Sequence, residues 1–219
     1  MFDFTSAWQH FDRLAVGAVT TFTLSLTAIL VGCPLGLALY AAKRAGGLPT
    51  RLAAGYISFF RGTPLLVQLL VLFYVPPALG IPVSSFAAAF LGLTLNTAAF
   101  QAEIYRAGYQ SLPKGQTEAA RALGLSGWQT HRLVLLPQVL RLTLPALTNE
   151  AVDILKNSAL VSVIAVTDLL RIGQQVTAVT YRPLEVYITV AILYFVLTSL
   201  IGFAGRLAEQ RFGLQDAPR

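Results

Sequence analysis

Glu150, Asp153 and Asn157 stand three and then four residues apart in a largely apolar stretch. At 100° per residue they fall within roughly 60° of one another on a helix. Three polar groups on one face of a membrane helix have two uses: a hydrogen-bonded network to a neighbouring helix, or an aqueous path that holds a polar substrate. Lys156 follows Asp153 by three residues and is placed to neutralise it, so the stripe exposes as little as one net carboxylate. Asn96 and Glu103, seven residues apart, share a face of an earlier apolar stretch. Asn96 lies deep in that stretch, suited to bonding between helices or to substrate contact. Glu103 precedes Arg106 by three residues, the spacing of an intrahelical ion pair.

Other chemistries lack their residues. Cys33 is the single cysteine, so it forms no internal disulfide, and with only His10 and His131 elsewhere it builds no metal site; a small core residue is its expected role. Both histidines lie outside the apolar stretches, which leaves no buried pairing of nucleophile and base for an intramembrane enzyme. The chain contains no Gly-x4-Gly-Lys-Ser/Thr phosphate cradle, so any energy-driven work it performs draws on another chain or on an ion gradient.

The elements that must position these residues are membrane helices. Hydrophobic residues make up 55% of the 219-residue chain and charged residues 12%, about half the charged share of a soluble domain; mean hydropathy is +0.65. A bilayer core takes ~20 apolar residues per helix. Stretches at about 14–42, 52–75, 83–105, 142–167 and 184–205 meet that length and occupy most of residues 1–219, predicting one all-α membrane domain of five spans. The first is too long for the apolar core of a signal peptide and follows Asp3 and Asp12, which predicts a retained span. Gly17, Gly32 and Gly36 within it allow close approach of neighbouring helices. Arg61-Gly62-Thr63-Pro64 predicts a break inside the second span, with Arg61 turned to the bundle interior or snorkelling toward the cytoplasm. Gly46-Gly47-Leu48-Pro49 and Val75 to Pro82 read as short connections.

A net charge of +6 would suggest nucleic acid in a soluble chain, but here its distribution is decisive. Lys43, Arg44 and Arg51 follow the first span; Arg106, Lys114, Arg121, Arg132 and Arg141 follow the third; Arg206, Arg211 and Arg219 follow the fifth. Only Arg13, Arg171 and Arg182 fall on the other side, in the N-terminal flank and a last outer loop. The positive-inside rule then puts the N-terminus outside and the C-terminus in the cytoplasm. On that topology the polar segment at about 108–141 is cytoplasmic. Within it, Ser111-Leu112-Pro113-Lys114-Gly115 ends a helix, and Gln116 to Leu123 predicts a short amphipathic one with Glu118 in its first turn, stopped at Gly124. A lone carboxylate there catalyses little, but the helix is shaped for a partner's groove.

Glu118-Ala119-Ala120, with Gly124 and the later Leu136-Pro137, resembles the EAA loop of bacterial ABC importer membrane subunits. Phe60 to Gln68, Ala102 to Gly108, Ser111 to Gln116 and Leu155 to Ser162 look like successive signatures of the polar amino-acid permeases, the histidine, arginine, glutamine and glutamate branch. The resemblance implies five transmembrane helices of the type I importer permease fold, with a short cytoplasmic coupling helix between the third and fourth spans, in a bacterial plasma membrane. It implies a dimer with an identical or homologous permease, two cytoplasmic ATPase subunits that carry the ATP and magnesium, and an extracytoplasmic binding protein. This chain would bind no cofactor, metal or nucleic acid.

On that resemblance Glu118, Ala119, Ala120 and Gly124 couple to the ATPase, with Arg121, Leu123 and Leu125 adjacent. The candidate substrate contacts are Gln68, Asn96, Glu150, Asp153 and Asn157. Basic-amino-acid members carry an Asn-Glu pair and a second acid seven residues beyond that Glu. Here Glu150 matches the first and Asn157 stands at the second, with Asp153 one turn earlier, so cationic and neutral polar substrates both remain open. The alternative is an ion-coupled secondary transporter or channel subunit using Glu103, Glu150 and Asp153; paired broken helices, expected of such transporters, have only one counterpart here.

Overall fold

A computed structural model describes residues 8–211, leaving Asp3 and Arg219 of the charge argument outside the described residues. The described residues are helical throughout, with no strand among them. In order they form α1 (Phe11–Arg44), α2 (Gly47–Gly62), α3 (Leu65–Ala78), α4 (Ser85–Ser111) and α5 (Lys114–Ala122). A turn at Gly127–Gln129 and a π-helical segment at Thr130–Leu135 lead into α6 (Leu136–Asn157), which tightens to a 3-10 segment at Ser158–Ile164. Then come α7 (Leu169–Thr180) and α8 (Pro183–Arg211). On length and composition alone, α1 and α8 suffice to cross a bilayer, and α2 with α3 make a third if the pair, bent by 108°, is one span.

The bend follows from Pro64. A proline ring disfavours the α region for the residue before it, and Thr63 is extended at φ −121°, ψ 147°. α3 therefore restarts in a new direction at Leu65. The helix then runs through Pro76 and Pro77 to Ala78, so the rigid connection expected from Val75 begins only at Leu79, with Gly80 at φ +80° closing the turn.

The buried residues of α1 recur every three or four positions: Leu14, Gly17, Thr21, Leu24, Ala28, Gly32, Gly36 and Tyr40. Most are small, and α4 answers with Ala88, Ala89, Gly92, Thr97, Ala98, Gln101 and Ala102. A Cβ on Gly36 would lie 2.9 Å from the Ala98 carbonyl oxygen, and one on Gly32 would lie 2.5 Å from Thr97 Cγ2. The sequence expectation of close helix approach is met at both positions. Outward, α1 shows Val16, Val19, Leu30 and Val31, and α8 shows Phe195, Val196, Leu200 and Phe203, the apolar exterior of a chain solvated by lipid.

Three differences from the sequence expectation have local causes. The segment expected as a loop before the last span is a helix, α7, because Asp168 accepts from the Leu170 and Arg171 amides as an N-cap while Leu169, Ile172 and Val176 bury one face. The fourth helix loses α geometry at Asn157, well before position 167; Ala165 at φ +62° then ends the 3-10 segment. The short helix of the polar segment starts at Lys114 behind an extended Pro113, so Glu118 sits in its second turn and does not cap its start.

Gly36→Ala should lower the thermal unfolding midpoint of the detergent-solubilised protein, by the equivalent of about 1–3 kcal/mol. Gly55, which has no atom within 4 Å of an added Cβ, serves as the contrast: Gly55→Ala should leave the midpoint unchanged or slightly raised, because alanine favours a helix interior.

Candidate functional site

The break between α2 and α3 is held by one side chain. Gln68 Nε2 donates to the carbonyl oxygens of Phe60 (2.9 Å) and Thr63 (3.0 Å) and to Thr63 Oγ1 (2.8 Å). These carbonyls lie where the helix ladder stops, and an unsatisfied carbonyl in an apolar setting costs several kcal/mol. Asn96 Nδ2 reaches across from α4 to Gln68 Oε1 (3.0 Å) and to the Phe60 carbonyl (3.3 Å).

In front of this brace lies a cavity of about 360 Å3 whose lining includes Phe60, Thr63, Asn96, Phe100, Glu150, Asp153 and Asn157. Four of the five candidate substrate contacts are thus brought together. Gln68 does not line the cavity; it is buried behind Asn96. The charged groups among the lining residues are the carboxylates of Glu150 and Asp153. Glu150 accepts from Thr97 Oγ1 at 3.0 Å. Asp153 and Lys156 pair at 2.7 Å, both 57% exposed, and Lys156 stays outside the lining.

Phe100 also lines a second cavity of about 510 Å3, together with Arg61, Glu103, Arg106, Leu142 and Thr143. Here Glu103 does more than pair within its helix: it bonds Arg106 (2.6 Å) and Lys43 of α1 (2.7 Å), with Arg61 of α2 at 3.7 Å. One carboxylate therefore ties three helices. The Arg61 guanidinium lies 5.4 Å from the Phe100 ring centre, a cation–π contact at the boundary of the two cavities.

The polar segment presents a separate surface. α5 ends in a Schellman motif: the Gly124 amide bonds the Arg121 carbonyl and the Leu125 amide bonds that of Ala120, with Gly124 at φ +77°. Ala120 is buried and Leu125 half-buried; Glu118, Ala119, Arg121, Leu123 and Gly124 are exposed. Leu123 is 82% exposed and Trp128 68%, large apolar groups left uncovered by the described residues. Behind them the rings of Trp128, His131, Tyr109 and Tyr40 stack in sequence at centre distances of 6.0, 5.4 and 4.6 Å. The stack joins this segment to α4 and α1. Burial, and then the nearby Arg44 guanidinium, holds His131 below the ordinary histidine range, favouring the neutral ring.

Sequence reasoning missed Thr97, Phe100 and the brace role of Gln68. For Thr97 a signal was present, since it adjoins Asn96 and precedes Gln101 by four residues. Phe100 carries no such mark among many phenylalanines.

Residues 34–213 match the family model described as binding-protein-dependent transport system inner membrane component. The chain is 35% identical over 216 residues to the arginine transport system permease protein ArtQ of Bacillus subtilis (strain 168), covering 98% of this chain and 99% of that one. It is 35% identical over 213 residues to the glutamine transport system permease protein GlnP of Escherichia coli (strain K12), covering 96% and 97%. Over 202 residues it is 43% identical to the L-cystine transport system permease protein TcyL of Bacillus subtilis (strain 168), covering 88% and 84%. A crystal structure of an amino acid ABC transporter with histidines superposes with a TM-score of 0.90 at 39% identity, covering 96% of this chain and 99% of that chain. An inward-facing MetNI methionine ABC transporter gives 0.72 at 26% identity, covering 94% and 97%.

Replacing Gln68 by leucine removes the amide donor of the Thr63 carbonyl and the Gln68 acceptor of Asn96, and leaves the Phe60 carbonyl only the longer bond from Asn96. Gln68→Leu should therefore destabilise the protein in detergent by about 1–3 kcal/mol, the cost of orphaned buried polar groups. A thermal midpoint equal to that of the wild type would remove the brace role.

Proposed function

We propose how this chain works from the premise that it belongs to the family of binding-protein-dependent transport system inner membrane components. It is the membrane permease subunit of an amino-acid ABC importer, and its likeness to ABC permeases decides against the ion-coupled alternative. In our reading α1, the bent pair α2–α3, α4, α6 with its 3-10 extension, and α8 are five spans, with the N-terminus outside and the C-terminus in the cytoplasm. The charge asymmetry of the loops supports that orientation. The chain pairs with a second permease, identical or homologous, and receives its substrate from an extracytoplasmic binding protein.

The observation that carries the substrate reading is the shared cavity of Asn96, Glu150, Asp153 and Asn157 beside the helix break. Its charged lining groups are acidic, which suits the ammonium group that every amino acid carries, while Asn96 and Asn157 offer amides to a polar side chain or carboxylate. Phe100, common to both cavities, stands where the substrate would pass from the first to the second. Gln68 contributes by shaping the break.

α5 and the turn after it are the coupling surface. Glu118, Ala119, Arg121, Leu123 and Gly124 face outward for a groove on one of two cytoplasmic ATPase subunits, while Ala120 and Leu125 fix the helix and its stop. ATP and magnesium bind on those partner subunits, since this chain has no phosphate cradle. The ring stack from Trp128 to Tyr40 is the mechanical link from that surface to α4 and α1.

Two substitutions test this reading in vesicles reconstituted with the ATPase and binding protein. Glu118→Lys should leave the chain in the membrane and the ATPase hydrolysing, yet abolish ATP-driven uptake; wild-type uptake would sink the coupling assignment. Glu150→Gln should lower uptake about tenfold while membrane abundance falls far less, in line with the loss of a charge-assisted contact. Equal losses of uptake and abundance would make Glu150 a structural group.

A further inference from the structure

Thr97 is fully buried and lines neither cavity, yet its hydroxyl is the recorded hydrogen-bond partner of the Glu150 carboxylate, at 3.0 Å. Behind it, Gln101 is 1% exposed and donates from Nε2 to Thr97 Oγ1 at 3.1 Å. The order of donors is fixed by chemistry. An amide nitrogen only donates, so Thr97 Oγ1 accepts from Gln101 and its own hydrogen is free for Glu150. Sterics act on the same side chain: Thr97 Cγ2 fills the space opened by Gly32 of α1, where a Cβ would lie 2.5 Å away. The two branches of Thr97 are therefore assigned, the methyl to α1 and the hydroxyl to Glu150. A β-branched residue has few χ1 choices in a helix, so the glycine contact selects one.

We propose that Thr97, backed by Gln101 and set by Gly32, is a positioning residue that aims the Glu150 carboxylate into the substrate cavity. The inference rests on Glu150 being a substrate contact. It adds that the geometry of this contact is decided on α4 and α1, away from the cavity. The relay keeps a half-buried carboxylate hydrogen-bonded on its protein side while leaving its other face to the cavity, where Glu150 is among the lining residues.

The test uses the complete reconstituted transporter and a double-mutant cycle. Thr97→Val keeps the methyl against Gly32 and removes the hydroxyl; uptake, normalised to membrane abundance, should fall about fivefold in the wild-type background and less than twofold in a Glu150→Gln background. Equal falls in both backgrounds overturn the proposal. If Glu150→Gln alone leaves normalised uptake unchanged, the substrate reading of Glu150 fails instead, and the two failures are distinct.

Infrared difference spectra read the setting of the Glu150 carboxylate directly, apart from any change in uptake or abundance. The carboxylate band lost in Glu150→Gln should shift in Thr97→Val and return in Thr97→Ser, which restores the donor. Gly32→Ala should shift the same band by displacing Cγ2, because the added Cβ would lie 2.5 Å from that methyl but at an ordinary contact distance of 3.5 Å from Gln101 Nε2. A band unmoved in both Thr97→Val and Gly32→Ala overturns the proposal.

Discussion

The constraint on which the rest depends is that a membrane helix cannot be broken unless its freed carbonyls find new partners. Pro64 breaks the helix between α2 and α3, and Gln68 takes the carbonyls of Phe60 and Thr63. Asn96 then locks Gln68 from the neighbouring helix. The break is what gives the molecule a cavity at this level: an unbroken helix would close the space that Thr63, Pro64 and Leu65 now border beside Glu150 and Asn157. Cavity-lining and structural amides are thus neighbours, and Asn96 is both: it lines the cavity and holds Gln68 in place.

The second determinant is how near α1 and α4 can come. With alanine and glycine along both faces, packing is limited by backbone contact, as at Gly36 against the Ala98 carbonyl. Lipid supplies no hydrophobic drive between helices, so such contacts and interhelical hydrogen bonds hold the bundle. Glu103 adds an ionic tie among Lys43, Arg61 and Arg106. Removing that one acid would leave three cations facing one another, and so a single residue fixes the meeting of α1, α2 and α4 at this end.

Much of this was legible in the sequence, and the reasons for the rest are specific. Glu150, Asp153 and Asn157 share a face because helical periodicity is local, and the Asp153–Lys156 and Glu103–Arg106 pairs follow from a spacing of three. Lys43 meeting Glu103 across 60 positions is set by tertiary packing and has no local sign. Gln68 was drawn toward the substrate by its membership of a signature; only three-dimensional placement shows it turned to the break. The α7 helix was encoded in Asp168, Leu169, Ile172 and Val176, but Gln174, Gln175 and Arg171 on its other face gave the segment the composition of a loop. Glu118 was misplaced by one turn because an extended Pro113 starts the helix at once, at Lys114.

Charge is sorted across Phe100. On one side the cavity shows Glu150 and Asp153; on the other, Arg61 and Arg106 gather with Lys43 on the lone carboxylate of Glu103. This separation sets up a field between the two cavities, partly screened where Arg61, Arg106 and Asp153 meet solvent. A zwitterion in the first cavity would lie with its ammonium toward Glu150 and its carboxylate toward Arg61. The same field disfavours a second positive group beside Arg61. Lys156 offsets Asp153 only through a surface pair with both partners open to solvent, so that water and salt weaken the compensation and the first cavity keeps its acidic character.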